Sequence, residues 1–386
     1  RSVPVSMPSG KKRGWPSELK LCRFPQQTPG PTFAPMIVRK LLIPISWVYA
    51  LGAWLHAAWY RWRIRTPYQP QIATLAVGNL HMGGTGKTPL SLWLMEQLHF
   101  KVDPVYYLSR GYGRRTKDVR EVQLEDLPQD VGDEALMVRQ HFGHSTDVHV
   151  VVAQRRADAL REMGRHGVVV LDDAFQHRGV QTALNLLVCP FGQWYTEDHV
   201  VPAGRLREHP SAAGRAHAVV VTRCPGPVDP LTRLDIRAKL DLRPEQELFC
   251  SWERYGDPLP QWDAPAWQAG QTLNALALCG IGQPAVFLAG VRRLVPMAEA
   301  MVLADHEPYR PSVVKSIAQK CREQGITSIV TTKKDRARMG AKPREWAGIS
   351  VYVLPHEIVL DDDGPRLLKW LEREWKARGF RVPLSA

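Results

Sequence analysis

Gly83-Gly84-Thr85-Gly86-Lys87-Thr88 sets an ammonium and a hydroxyl directly behind a run of glycines, a spacing suited to gripping a polyphosphate. In such a loop the backbone N–H groups converge on phosphate oxygens, Lys87 neutralises the β/γ end, and the Thr88 hydroxyl binds a divalent cation such as Mg²⁺. The apolar run Ile72-Ala73-Thr74-Leu75-Ala76-Val77 before it reads as a buried strand, and Leu90, Leu94 and Leu98 after it recur at helical spacing. Pro89 suits the first helical turn, where no N–H is missed. The loop departs from the Walker A pattern at its first position, where His81 stands in place of glycine. Without its flanking strand and helix, the same run would be only a glycine-rich turn.

A second constellation lies some eighty residues on. Gly167-Val168-Val169-Val170-Leu171 reads as a buried strand that delivers Asp172 and Asp173 at its carboxyl end. In a parallel sheet that end opens on the ligand crevice, so the two carboxylates can reach a metal held by Thr88, the arrangement of a Walker B motif. The plainer alternative is an Asp-Asp helix cap, since aspartate is favoured there whatever the function.

These groups need a scaffold. Strand-like runs at 72–77, 104–108, 148–152, 167–171, 184–188 and 217–221 alternate with helical stretches, which predicts an α/β fold of P-loop NTPase type, a mainly parallel sheet with helices on both faces, over residues 67–247. Residues 248–271, rich in Trp, Pro and Gly, read as a connector with room for a hairpin. A smaller C-terminal α/β lobe spans 272–386, with a strand at 273–278, helices at 284–294 and 311–324, strands at 326–331 and 350–354, and a final helix near 365–378. No repeat of fixed period is present.

The net charge of +13 is concentrated at the front: residues 1–70 carry eleven Lys/Arg against Glu18 alone, leaving residues 71–386 near balance at +3. That placement points to an anionic membrane surface, at roughly 1 kcal/mol per basic residue near the lipid, rather than to nucleic acid. Residues 41–60 contain no Asp, Glu, Lys or Arg and are flanked by Arg39/Lys40 and Arg61/Arg63/Arg65, so residues 36–66 are expected to form a membrane-associated helix. A single span, an interfacial helix and a buried soluble helix are the three readings; Pro44, Ser46 and His56 weigh against the first, and Trp47, Trp54, Trp59 and Trp62 favour the headgroup zone. Residues 1–35, rich in Pro, Ser and Lys, need no fixed structure, and Met36 reads as a natural start. The six cysteines are scattered without CxxC or zinc spacing, which fits a reducing compartment.

Taken together, Val77-Gly78-Asn79-Leu80 with the phosphate loop, Ser109-Arg110-Gly111-Tyr112-Gly113, Gly132-Asp133-Glu134, Asp172-Asp173-Ala174-Phe175-Gln176-His177, Pro202-Ala203-Gly204-Arg205-Leu206-Arg207-Glu208, Gly280-Ile281-Gly282-Gln283-Pro284, Asp305-His306 with Tyr309, and Thr331-Thr332-Lys333-Lys334-Asp335 resemble the tetraacyldisaccharide 4'-kinases of lipid A biosynthesis. The resemblance covers roughly residues 36–380. It implies Mg-ATP-dependent phosphorylation of the 4'-hydroxyl of a lipid A disaccharide precursor, tetraacyldisaccharide 1-phosphate, at the cytoplasmic face of a Gram-negative inner membrane, with no obligate protein partner evident. It also implies a dyad, Asp133 and His306, in which the imidazole takes or relays the hydroxyl proton and the carboxylate orients it. Arg110 and Arg156, the latter within Ala153-Gln154-Arg155-Arg156-Ala157-Asp158 with Arg155 as its alternative, are then candidate stabilisers of phosphate charge, although each also reads as a solvated helix-surface arginine; Arg205 and Arg207 rank lower. Ala174 stands where the family usually has glycine, Glu307 and Tyr309 alter the surroundings of His306, and Lys333 replaces an expected Glu. The rival function is a membrane-associated P-loop ATPase or GTPase acting as a binding switch, against which Thr332-Lys333-Lys334-Asp335 lacks the Asn of a guanine-specifying motif. With His306 in one lobe and Lys87, Asp133 and Asp172 in the other, the expected site is an interlobe cleft that closes for catalysis.

Overall fold

The computed structural model describes residues 36–62, 65–268, 274–282, 284–305, 307–382 and 384. Helix α1 (Met36–Arg61) opens the described chain. The larger lobe follows as β1 (Ala73–Asn79), α2 (Lys87–His99), β2 (Val105–Ser109), β3 (Arg120–Glu121), α3 (Pro128–Val131), α4 (Asp133–Phe142), β4 (Val148–Val152), α5 (Arg156–Glu162), β5 (Val168–Leu171), β6 (Leu184–Pro190), β7 (Ala218–Cys224), α6 (Pro230–Lys239) and β8 (Glu247–Tyr255). The smaller lobe runs through β9 (Leu259–Gln261), β10 (Ala275–Cys279), α7 (Pro284–Leu294), β11 (Glu299–Val302), α8 (Pro311–Glu323), β12 (Ser328–Thr331), α9 (Lys333–Met339) and β13 (Ser350–Val353). Two last elements, β14 (His356–Val359) and α10 (Asp363–Ala377), return to the larger sheet.

That sheet has the order β14-β8-β7-β6-β1-β5-β2-β4-β3 and is parallel except at its two edge strands. Every residue of β1 is buried, as expected of a strand covered on both faces. Leu75 and Val77 point to one face, where α2 contributes Leu90, Leu94 and Leu98; Ala76 joins Leu171 and Leu160 of α5 on the other. The alternation of β1 therefore places helices on both sides of the site's central strand. The smaller sheet, β11-β10-β12-β13-β9, is parallel except at β9. Leu276 and Leu278 of β10 face α8, and Ala275 and Ala277 face α7.

The stretch read as a connector contributes two strands, one to each sheet: β8 pairs in parallel with β7, and β9 pairs with β13. Its Trp, Pro and Gly residues obscure the short buried run Leu248-Phe249-Cys250. The chain crosses between sheets at residues 256–258 and 354–355, where Gly256 N donates to the Pro355 carbonyl (3.1 Å). The final helix, expected within the C-terminal lobe, packs on the larger one: Leu367, Trp370, Leu371 and Trp375 share the core of Leu75 and Val77. Asp363 at its start accepts from Cys250 N (2.7 Å) and Arg233 (2.9 Å).

In α1, Ser46 is buried and its Oγ accepts from Ala203 N (3.0 Å), which ties the helix to the segment beside the phosphate loop. Trp47, Val48, Leu51 and Trp59 are exposed, Trp47 by 70%. Among the described residues, no helix is long and apolar enough to cross a membrane.

Candidate active site

β1 ends at Asn79, and that residue closes the loop. Its side-chain amide donates to the His81 carbonyl and to Thr85 Oγ1 (2.7 Å each), while its Oδ1 accepts from Lys87 Nζ (3.0 Å). Thr222 of β7 donates to the Thr85 carbonyl (2.7 Å), so two strands of the same sheet, β1 and β7, hold the arc. Gly83 and Gly86 take φ of 95° and 89°, the left-handed region that a side chain would strain. Gly84 lies between them, and Lys87 and Thr88 open α2 immediately after. All six loop residues singled out by their spacing thus lie on one arc.

His81, the departure from the glycine pattern, is buried beneath this arc, with Nε2 3.9 Å from Asp198. It bridges to Leu206, and Met82 N donates to the Arg205 carbonyl (2.7 Å). Burial lowers its pKa to about 4, with Asp198 opposing and Arg205 reinforcing the shift. His81 is therefore neutral at pH 7.

β5 is the immediate neighbour of β1, with Leu171 opposite Ala76. Asp172 beyond it is buried and accepts from Tyr107 OH (2.7 Å), Ser91 Oγ (3.0 Å) and Thr88 Oγ1 (3.3 Å). Burial, and then the Glu134 charge, push its carboxyl up, against the Tyr107 hydrogen bond and Lys87. Asp173 faces outward, 3.2 Å from Lys87 Nζ and 3.1 Å from Arg207 Nη1. Burial alone would raise its carboxyl; Lys87 and Arg207 overcome that and hold it below the usual carboxylate range. The two aspartates thus divide their tasks: Asp172 ties the loop to the sheet and Asp173 meets the cations. The turn's left-handed residue is Asp173 itself (φ 45°), a type that tolerates that region, so the Cβ of Ala174 is accommodated. Gly78 is the stricter position, since a Cβ there would lie 2.6 Å from that of Phe175.

Arg156 is buried behind this turn and donates through Nη2 to the carbonyls of Asp172 (2.8 Å) and Asp173 (3.0 Å). It braces the backbone rather than lining open space. Arg110, at the end of β2, is exposed; its charge and that of Arg156 add to burial in lowering the His177 pKa to about 4.

Asp133 begins α4, directly after Gly132 (φ 87°), and its carboxylate lies 3.7 Å from Arg338 Nε of α9. Next to it, Glu134 pairs with Lys334, also on α9. The amino end of α4 is therefore where the larger lobe meets the smaller one. His306 lies outside the described residues; Glu307 beside it gives its carbonyl to Arg338 Nη1 (3.3 Å). Asn79, Tyr107, Ser91, Thr222 and Arg338 carry much of this geometry without having been assigned roles from sequence. Asn79 alone had a signal, its place inside a quoted motif.

Thr88, Asp172 and Asp173 together present hydroxyl and carboxylate oxygens, the donor type that suits magnesium. Among the described residues no group of three or more His, Cys, Asp or Glu forms a metal cage by itself.

A glycine arc between a buried strand and a helix, with two aspartates at the end of the adjacent strand, defines the class of P-loop nucleotide-binding proteins. The family model for tetraacyldisaccharide-1-P 4'-kinase (LpxK) matches residues 38–376, and the chain belongs to that family. Tetraacyldisaccharide 4'-kinase of Phocaeicola vulgatus is 30% identical over 344 residues, 86% of this chain and 93% of that protein. The Parabacteroides distasonis enzyme of the same name is 32% identical over 332 residues, 82% and 89% respectively. In fold, the chain is similar to a crystal structure described as "apo" form LpxK from Aquifex aeolicus in complex with ATP, with a TM-score of 0.67 over 87% of this chain and 99% of that one at 24% identity.

Proposed function

We propose that this chain is an ATP-dependent lipid kinase that transfers the γ-phosphate to the 4'-hydroxyl of tetraacyldisaccharide 1-phosphate. The observation that carries the reading is the junction of Lys87, Thr88, Asp172 and Asp173 at the ends of β1 and β5, beside the lobe boundary where Asp133 stands. Loop amides and Lys87 grip the triphosphate, whose oxygens compete with Asp173 for the ammonium. Thr88 and the two aspartates would hold Mg²⁺, which when bound would supply positive charge to the phosphates. Asp133 orients the acceptor hydroxyl with His306 of the smaller lobe as its partner in moving the proton, and Arg110 offers charge to the transferring group.

The enzyme works at a lipid surface, the cytoplasmic face of the inner membrane, with no nucleic acid and no obligate protein partner. The exposed Trp47, Val48, Leu51 and Trp59 support that placement, since aromatic and aliphatic side chains on one anchored helix suit an interface. Purified protein, Mg²⁺ and radiolabelled ATP should place label on the disaccharide lipid and on nothing else. Steady release of phosphate to water with unlabelled lipid would replace this reading with a nucleotide switch.

A further inference from the structure

We propose that Arg338 is a positioning residue for phosphoryl transfer, joining the loops of the smaller lobe to the Asp133 carboxylate of the larger one. The inference rests on the reading of Asp133 as a catalytic group and adds the structure that holds it.

Three smaller-lobe motifs converge on Asp335, which is fully buried on α9. Gly280 N, after β10, donates to both of its oxygens (3.0 and 3.2 Å). The Tyr309 hydroxyl donates to Oδ1 (3.0 Å) and the Thr332 hydroxyl to Oδ2 (2.6 Å). Arg338, one helical turn on, adds Nη2 to Oδ1 (2.8 Å). The same guanidinium extends beyond this hub: Nη2 also reaches the Gly280 carbonyl (2.7 Å), Nη1 the Glu307 carbonyl (3.3 Å), and Nε lies 3.7 Å from Asp133 Oδ2 across the lobe boundary. The Arg338 side chain is 5% exposed.

A surface pair one turn apart on a helix contributes almost nothing. A buried guanidinium is different, because leaving any face of it unpaired is costly. Its planar fork supplies donors in fixed directions, so one rigid group sets the Gly280 and Glu307 loops, and with Nε donating to the Lys334 carbonyl (3.4 Å) the same guanidinium holds Asp133 through charge at 3.7 Å. A lysine would provide the charge without that fork. Lys334 and Glu134 pin the same boundary in parallel. Arg338 thereby links lobe apposition to the aim of the Asp133 carboxylate, at a distance from the nucleotide loop.

The test is a double-mutant cycle in the full-length protein, with lipid phosphorylation and the KM for ATP measured together. Arg338→Ala should lower kcat by about a hundredfold and leave the KM for ATP within about threefold. Arg338→Lys should recover only part of the loss. In an Asp133→Asn background, Arg338→Ala should cost less than about a further threefold, because the two act as a unit. Wild-type turnover in Arg338→Ala, a multiplicative loss in the double variant, or a rise in the KM for ATP that matches the fall in kcat would each overturn the positioning role. Should Arg338→Ala fail to fold, Arg338→Lys runs the same cycle, and a multiplicative loss there counts equally against it. Full turnover in Asp133→Asn alone would instead remove the catalytic reading of Asp133 on which the inference stands.

Discussion

On the larger sheet, the phosphate loop is held by its own backbone and by short side chains: Asn79 at the end of β1, Thr222 on β7 and Asp172 at the end of β5. On the smaller sheet, Gly280, Tyr309 and Arg338 come from three separate segments and converge on the buried Asp335. The first wall is a backbone device, shaped before any ligand arrives by left-handed glycines and ladder registers. The second is a side-chain hub, and its shape depends on one carboxylate. Charge loss should therefore affect the two walls differently: at the first it costs chemistry with little stability, whereas at Asp335 of the second it costs stability as well.

The largest expected effect is on the first wall. Lys87→Ala should lower lipid phosphorylation by about a thousandfold or more with little change in thermal stability, since the loop's shape rests on Asn79, Thr222 and Asp172. Turnover near wild type, or a large fall in Tm, would erase the contrast. Asp335→Asn should do the reverse. It strands the buried Arg338 charge and should destabilise the protein by about 3 kcal/mol, read in urea denaturation, because breaking a buried pair leaves an uncompensated ion. Unchanged stability would show that the hub is not what holds the facing wall.

The first wall should also carry a pH signature. The His81 pKa is lowered by burial to about 4, from 6.5 in the unfolded chain, so the unfolded state binds more protons between those values. Stability should fall as pH drops from about 6.5 towards 4, with a His81 contribution of about 3 kcal/mol once pH lies below both values. His177, displaced in the same direction by burial and by Arg156 and Arg110, adds to the same limb. Denaturation at stepped pH should show His81→Gln flattening that limb; an unaltered slope would rule His81 out as its source. The smallest effect is expected from Tyr107→Phe, which removes the 2.7 Å bond to Asp172 and should cost about 1–2 kcal/mol of stability. A loss larger than that of Asp335→Asn would reverse the order of the two walls.

The contrast between the walls also explains what could be read from the sequence. The phosphate loop and the paired aspartates were legible because backbone devices need particular residue types at fixed short spacing, and β1, β2, β4, β5, β6 and β7 were legible because full burial leaves continuous apolar runs, whereas β3, β8 and β14 towards the sheet's edges were not. The hub was not. Asp335 and Arg338 are one turn apart on a short helix, where such pairs are usual, and nothing in the spacing tells that both are buried. The placement of α10 was missed for a related reason: Leu367, Trp370, Leu371 and Trp375 announce an amphipathic helix but not which sheet receives its apolar face. Arg156 shows the converse, a residue singled out for phosphate charge whose guanidinium instead donates to the backbone carbonyls of Asp172 and Asp173.

The central claim is that nucleotide grip by the phosphate loop and hydroxyl preparation by Asp133, at the lobe boundary, are separable functions of one site. The most direct test is to measure ATP affinity and label transfer to tetraacyldisaccharide 1-phosphate side by side in Asp133→Asn. Affinity for ATP within about threefold of the unaltered protein, with transfer reduced by about a hundredfold or more, is the predicted result. Transfer at the wild-type rate, or a loss of ATP affinity as large as the loss of transfer, would contradict it.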